Sequence, residues 1–427
     1  MAGTGIEDLG IILIEFGLVF LTSLILSFIF KKLNFPAIMG LLIGGILLNI
    51  LLVHSERYDF STDFRFIRLV ITEVAIGFIG YDIGSGIDLN QVQEFGKMLW
   101  LIVIGSISGS FLFVTIGMLF IGLEFGIAMI FGTIAITSAP TVISEILGEH
   151  EACDELSKII KFVSASEAIV AIILISIATR ITILESLQSI ILSLIINIFV
   201  SLLLASFGFL IVYIILIRNV IEERTLVEWL LGISLAIIGS ALLIQGSVIL
   251  SMFLFGLFLR TLEEKKKNVE HFKVLSDHTL LIELLMMPIA LMFFVLSGLE
   301  MDIQLLTDFN SLAFIILVFL CYFILRGLGK EFGTWLPCRV KSCLLDRSIR
   351  QNLKNCLFTQ AGLAIALAGF TFNQLISTRP DDASLIITII GFAVILSEIF
   401  GPFFVKRAVT DCQGNFADQK PVESSCL

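Results

Sequence analysis

The chain has 427 residues, 57% of them hydrophobic and only 15% charged, with a formal net charge of −10. Soluble domains carry about 25% charged residues, so a soluble globular protein is excluded, and 7 Pro without a long polar tract exclude a disordered or collagen-like chain. The apolar residues fall in separate runs of roughly 17–30, each long enough to cross a ~30 Å hydrocarbon layer as a helix, and they lack the period-2 alternation of barrel strands.

Thirteen spans are expected in chain order, near 11–30, 35–53, 66–83, 98–121, 125–147, 159–177, 187–217, 226–244, 248–259, 280–296, 312–328, 356–372 and 385–404. The ninth is short and could merge with the eighth in a hairpin around Gln245-Gly246. The fold class is therefore an all-α polytopic membrane protein of about 13 transmembrane helices. Lys and Arg collect in cytoplasmic loops. With the N-terminus outside, 20 of the 27 basic residues fall inside and only Arg57, Arg65, Arg68, Arg180 and Arg379 outside, while Arg326 and Lys330 belong to a span. This asymmetry gives a cytoplasmic C-terminus, and an even helix number would scramble it. No basic tract suggests nucleic acid, and Lys265, Lys266 and Lys267 serve as an inner-face anchor. The first span lacks a basic n-region and is expected to be retained. Most of the seven cysteines map to the inner face, so free thiols are expected, and the Cys338–Cys343 spacing does not suit zinc.

Ionisable groups inside a span are costly and default to functional candidates. Glu15 can reach the interface from its position in span 1, and Asp82, Glu145 and Glu398 sit near helix ends as interfacial carboxylates. Glu73 and Glu283 are deeper and suit helix interfaces. Glu167 differs, because it lies mid-span in Ser164-Ala165-Ser166-Glu167-Ala168, among small residues that rarely face lipid. A carboxylate there must pair, bind a cation or take up a proton.

Span 5 contains Thr137-Ser138-Ala139-Pro140-Thr141. Pro140 removes a helical hydrogen bond and clashes with the carbonyl four residues earlier. Such a break survives in a membrane only where protein or a water-filled cavity satisfies the freed backbone, and the hydroxyls of Thr137, Ser138 and Thr141 supply oxygen for that; an ordinary proline kink is the alternative. Span 12 carries a polar, glycine-bearing counterpart, Phe358-Thr359-Gln360-Ala361-Gly362, seven spans later. Two inverted six-helix repeats, spans 1–6 and 8–13, would pair these broken segments as crossing helices. Paired interrupted helices point to a transport site. Span 11 ends in Arg326-Gly327-Leu328-Gly329-Lys330, which brings cations toward the same core.

At these residues the chain resembles the monovalent cation:proton antiporter-2 family, of the sodium/proton type with thirteen helices. The resemblance rests on four features and extends to about residue 407. They are Thr137-Ser138-Ala139-Pro140, an acidic site 29 residues after Ser138, the segment Phe293–Asp302, and Lys330-x-x-Gly333. It implies a transmembrane antiporter domain over 1–407 and a short cytoplasmic tail over 408–427. It also implies a dimerisation part (about 1–97 and 226–300), a core part (about 98–180 and 310–407) and a linker helix over 187–217. The implied ion and proton site is Glu167, Ser166, Thr137 and Ser138, with the monovalent cation held by Glu167, Ser138 and Thr137. Lys330, Pro140, Gln360 and Arg326 support the core. The family's acidic or amide neighbour is here Ser166. Lys330 is thus expected to lose its usual partner and act as a structural cation that finds Gln360, Glu331 or span-12 carbonyls; the alternative is that it deprotonates in each cycle.

The implied function is exchange of a monovalent cation, sodium ahead of potassium, for protons by alternating access. Fewer titrating groups favour electroneutral exchange. A homodimer in the plasma membrane is implied, serving pH homeostasis, with lipid around it and no cofactor beyond the transported ions. About twenty residues follow Arg407 and no Gly-x-Gly-x-x-Gly occurs, so a nucleotide-binding domain is not expected. The competing class is a channel-like or non-transporting member of the same fold. An intramembrane protease is disfavoured because Tyr81-Asp82 has no Gly-x-Gly-Asp companion, and an organic-anion symporter because Glu167 would repel its substrate.

Overall fold

The structure is a computed structural model, which describes residues 6–33, 35–53, 62–87, 97–139, 154–183, 187–218, 223–266, 287–302, 309–338, 352–353 and 356–417. Among the described residues there are thirteen α-helices. They are α1 (Ile6–Lys32), α2 (Ala37–Leu48, running into a π turn Asn49–Val53), α3 (Thr62–Ser85), α4 (Lys97–Ile121), α5 (Phe125–Ile136), α6 (Asp154–Ile183) and α7 (Leu187–Arg218). They continue as α8 (Glu223–Leu243), α9 (Val248–Lys266), α10 (Met287–Leu299), α11 (Phe309–Cys338), α12 (Gly362–Leu375) and α13 (Pro380–Ala417).

Seven of these helices contain a stretch long and apolar enough to cross a membrane. Hydrocarbon cannot satisfy backbone N–H and C=O groups, so apolar sequence there must bond to itself as helix. The helices overrun several of the spans read from apolarity: α6 starts at Asp154, α11 continues through Pro337 to Cys338, and α13 runs to Ala417. Backbone hydrogen bonds do not stop where hydropathy does, so polar turns extend a helix past the apolar layer. The eighth and ninth spans remain two helices, separated by a turn in which Gln245 has φ 55°.

The chain divides into two compact units. The first comprises Met1–Leu89, Ile172–Leu317 and Ile365–Phe392; the second comprises Asn90–Ala171, Val318–Ala364 and Ala393–Leu427. In the first, α3 lies so close to α9 that a Cβ on Gly80 would press on the Ile249 carbonyl, one on Gly84 on Phe253, and one on Gly256 on Tyr81. Small residues permit such approach where no hydrophobic gain drives helices together in lipid. Gly45 meets the Val295 carbonyl and Gly298 that of Leu42 in the same way, joining α2 to α10. Asn49 adds hydrogen bonds from Nδ2 to the carbonyls of Leu299 (2.7 Å) and Met301 (3.1 Å).

In the second unit two Gly-x-x-x-Gly pairs face each other. Gly105 and Gly109 of α4 abut the carbonyls of Gly333 and Gly329 on α11. A cluster from α4, α6, α13 and the residues Leu353, Cys356 and Leu357, including Ile102, Ile160, Val163 and Val405, packs beside them.

Glu15 and Glu398 are buried within the protein. Glu15 shares an inward stripe on α1 with Val19 and Ser23, at helical spacing of four. Asp82 is exposed at the end of α3, and Glu145 and Glu283 lie outside the described residues.

Candidate ion-binding site

The site begins with two helices that stop early. α5 and α12 contain 12 and 14 residues, about 18 and 21 Å at 1.5 Å per residue, too short to cross a bilayer. α5 ends at Ile136, and Thr137 is extended at φ −66°, ψ 139°. Pro140 lies outside the described residues, but its chemistry bears on the end of α5. Proline has no N–H to offer the Ile136 carbonyl four residues before it. Before α12, residues 357–358 form a turn and 359–361 are non-helical.

The two breaks bind each other. Ala139 N–H donates to the Thr359 carbonyl at 3.1 Å. Gln360 Nε2, with two hydrogens to donate, lies 3.1 Å from the Ile134 carbonyl, 3.3 Å from Thr137 Oγ1 and 2.9 Å from Tyr322 Oη. Arg326, fully buried on α11, spreads its guanidinium over carbonyls from both breaks: Phe358 at 2.7 Å, Thr137 at 2.8 Å and Thr359 at 3.3 Å. The planar fork of arginine suits several fixed acceptors at once, and the Phe358 ring lies 5.6 Å from the guanidinium carbon.

Glu167 of α6 has no exposed surface and lies beside this crossing. Its Oε1 accepts from Ser106 Oγ of α4 and Lys330 Nζ of α11, both at 2.6 Å. Its Oε2 lies 2.6 Å from Ser138 Oγ. Lys330, 1% exposed, also donates to the Ile136 carbonyl at 2.6 Å and to Ser138 Oγ at 3.2 Å. An ammonium has three donors, and all three are used. The carbonyl that Pro140 leaves without a helical partner thus becomes a lysine ligand. The C-terminal end of α5 carries a partial negative charge, so Glu167 and the end of that helix attract a cation to the same place.

Ser138 and Glu167 are therefore brought together, with Lys330 in contact with both. Ser166 is not, since its hydroxyl donates to Phe162 of its own helix at 2.8 Å. Thr137 Oγ1 donates to the Ile134 carbonyl at 2.8 Å and caps α5. The expectation that Lys330 lacks its acidic partner is corrected. With Ser166 turned back on its helix, Glu167 itself pairs with Lys330, whose other contacts among the described residues are the Ile136 carbonyl and Ser138 Oγ.

The family described as sodium/hydrogen exchanger, transmembrane, matches residues 18–409. The chain belongs to that family. No curated protein sequence matches it. The fold is that of the sodium proton antiporter MjNhaP1 from Methanocaldococcus jannaschii. The MjNhaP1 structure at pH 8 is 17% identical, covers 95% of this chain and 99% of that one, and gives a TM-score of 0.70. A three-dimensional electron-microscopy map of MjNhaP1 gives 15% identity, 98% and 99% coverage, and a TM-score of 0.64. As a member of the sodium/hydrogen exchanger family, the chain is an integral multi-pass membrane protein that performs secondary active exchange of cations for protons.

Two residues of this exchanger escaped the sequence reading. Ser106 is one of several serines in an apolar helix, 61 residues before its partner, with no local signal. Tyr322 is buried one helical turn before Arg326 and anchors Gln360; its spacing of four from Arg326 and eight from Lys330 was the available clue.

Proposed function

We propose that Glu167 and Lys330 together form the exchange site, at which a transported cation and the Lys330 ammonium compete for one carboxylate. The observation that carries this reading is the 2.6 Å contact of Lys330 Nζ with Glu167 Oε1. With the Ser106 and Ser138 hydroxyls on the carboxylate as well, the ammonium sits where a cation would bind. A monovalent cation reaching Glu167 has to displace it, and two full positive charges on one buried carboxylate are strongly disfavoured. Lys330 therefore gives up its proton as the cation binds, a role open to lysine because its charge can be lost in a buried site. Ser138, Ser106 and the Ile136 carbonyl supply oxygen, the ligand type hard cations accept. One proton leaves for each cation that enters, so the site keeps its charge and exchange is electroneutral.

Sodium ranks ahead of potassium as the cation, by the family's description. The remaining expectations join this proposal: alternating access, a homodimer in the plasma membrane, N-terminus outside and C-terminus inside, and no cofactor beyond the carried ions. The orientation is supported by the 20 to 5 distribution of basic residues.

The test is proton movement in vesicles containing the purified protein, under outward gradients of sodium, potassium or lithium. Wild type should move protons against at least one of these cations. Lys330→Arg, which holds a positive charge but does not release its proton, should fold and move none. Wild-type exchange in Lys330→Arg would show that lysine is only a structural cation.

A further inference from the structure

The first unit holds a carboxylate that this exchange mechanism does not use. Glu73 of α3 is 8% exposed, and its Oε1 accepts a hydrogen bond from Asn373 Nδ2 of α12 at 2.9 Å. The other oxygens of the pair, Glu73 Oε2 and Asn373 Oδ1, are both buried, and among the described residues both lack a donor. Ionised, Glu73 is acceptor-only, with one neutral amide to compensate a buried charge. That is an expensive arrangement. Turning the amide over does not mend it, because the carboxylate would then face the amide oxygen.

The charged groups on the elements around Glu73 pair elsewhere or have partners of their own. Arg68 of the same helix lies 3.3 Å from Glu300, which follows α10. α9 packs on α3 with Val248 opposite Gly77 and Phe253 opposite Gly84, so its charged end, where Arg260 pairs with Glu263 and Glu264, is directed away from Glu73. The stretch of α8 that meets Gly77 through Ile238 carries no ionisable residue. Arg379 lies 3.5 Å from Asp382 beyond α12, and Glu15 of α1 and Asp302 are likewise engaged. Among the described residues no cation pairs with Glu73.

Each member of this hydrogen-bonded pair keeps one buried acceptor without a donor, and a single hydrogen shared between them would serve both. A hard metal cation collects about six oxygens, and this pair offers two, so the ligand that fits is a proton. We propose that Glu73 and Asn373 form a second proton-binding site, an acid–amide pair that ties α3 to α12 only while Glu73 carries a proton. Protonated Glu73 donates from Oε2 to Asn373 Oδ1 while Asn373 Nδ2 donates to Oε1, which satisfies all four polar atoms. Loss of the proton leaves a buried anion facing the amide oxygen, and the tie weakens as pH rises.

The test uses the full-length protein in lipid nanodiscs and reads the infrared C=O stretch of protonated carboxylic acids, with thermal unfolding as a second measurement. Glu73→Gln should remove one acid band while leaving the melting temperature near wild type, because an amide–amide pair keeps both hydrogen bonds. Asn373→Leu should shift the same band by removing its acceptor. The wild-type melting temperature should fall with rising pH more steeply than that of Glu73→Gln. An acid band unchanged in Glu73→Gln, an unshifted band in Asn373→Leu, parallel pH profiles, or failure of Glu73→Gln to fold would each overturn the proposal, the last because it would mean that the fold needs the charged form.

Discussion

Glu167 and Lys330 satisfy each other so fully that removing one should hurt more than removing both. Each is buried, with relative side-chain exposure of 0% and 1%. Breaking a buried pair by deleting one partner costs about 3–5 kcal/mol, whereas replacing both by apolar groups of similar volume is often neutral. Glu167→Gln should thus abolish exchange and lower the melting temperature, and adding Lys330→Met should restore most of the stability but none of the transport. A double-mutant cycle of melting temperatures checks this; simple addition of the two losses would refute a direct pair. Ser106 and Ser138 each hold a charged acceptor, worth about 1.5–3 kcal/mol per hydrogen bond. Ser106→Ala should therefore weaken apparent cation affinity by roughly 10-fold or more, at about 1.4 kcal/mol per decade. Concentration series of proton flux measure it, and Ser166→Ala is the control expected to change nothing, since Ser166 bonds only to its own helix.

At the scale of elements, the site depends on how closely α4 and α11 approach. Gly105 and Gly109 let the backbones touch at Gly333 and Gly329, and this places Ser106 of α4 and Lys330 of α11 on one carboxylate oxygen. A side chain there must push the helices apart. Gly109→Leu should cost about 1–3 kcal/mol as an overpacking change and should depress exchange more than stability alone explains. A melting curve together with the flux assay separates the two effects. The crossing of the two breaks depends on Arg326, whose three carbonyl acceptors come from both. Lysine cannot fork across them, so Arg326→Lys should fold poorly, whereas Lys330→Arg should fold. The breaks were partly legible in the sequence. Pro140 marked the first, since proline cannot donate to Ile136. The second has no proline; Thr359, Gln360 and Gly362 only hinted at it, and its non-helical form is held by partners on α11 and beyond α5.

For the whole molecule, the proposed release of one proton per monovalent cation bound leaves the charge of the site unchanged. Exchange rates should then be indifferent to an imposed membrane potential, because moving a net charge would be worth about 2.3 kcal/mol per 100 mV. Flux under a clamped potassium diffusion potential tests this. A rate that changes steeply with voltage would mean unequal charges are carried. Labelling of single cysteines placed at the two termini, in sealed vesicles of known sidedness, tests the N-out, C-in orientation.

The sequence by itself determined the class of protein and the number of helices. Hydrocarbon forces each long apolar run into a helix, and this logic is local. It also singled out Glu167, because a carboxylate among small residues in mid-span needs a reason that no lipid-facing position provides. The sequence did not determine which groups meet that carboxylate. The resemblance named Ser138, which meets it, together with Ser166, which does not; Ser106 and Lys330 are separated from Glu167 by 61 and 163 residues, and nothing in the serines' neighbourhoods distinguishes a hydroxyl turned to its own helix from one turned to a partner. Ser166 and Ser106 look alike in sequence; one bonds Phe162 and the other bonds Glu167. That choice is made by packing, by glycines that let two helices touch and by two broken helices whose unpaired carbonyls draw in Arg326 and Lys330. Only the tertiary structure could make it.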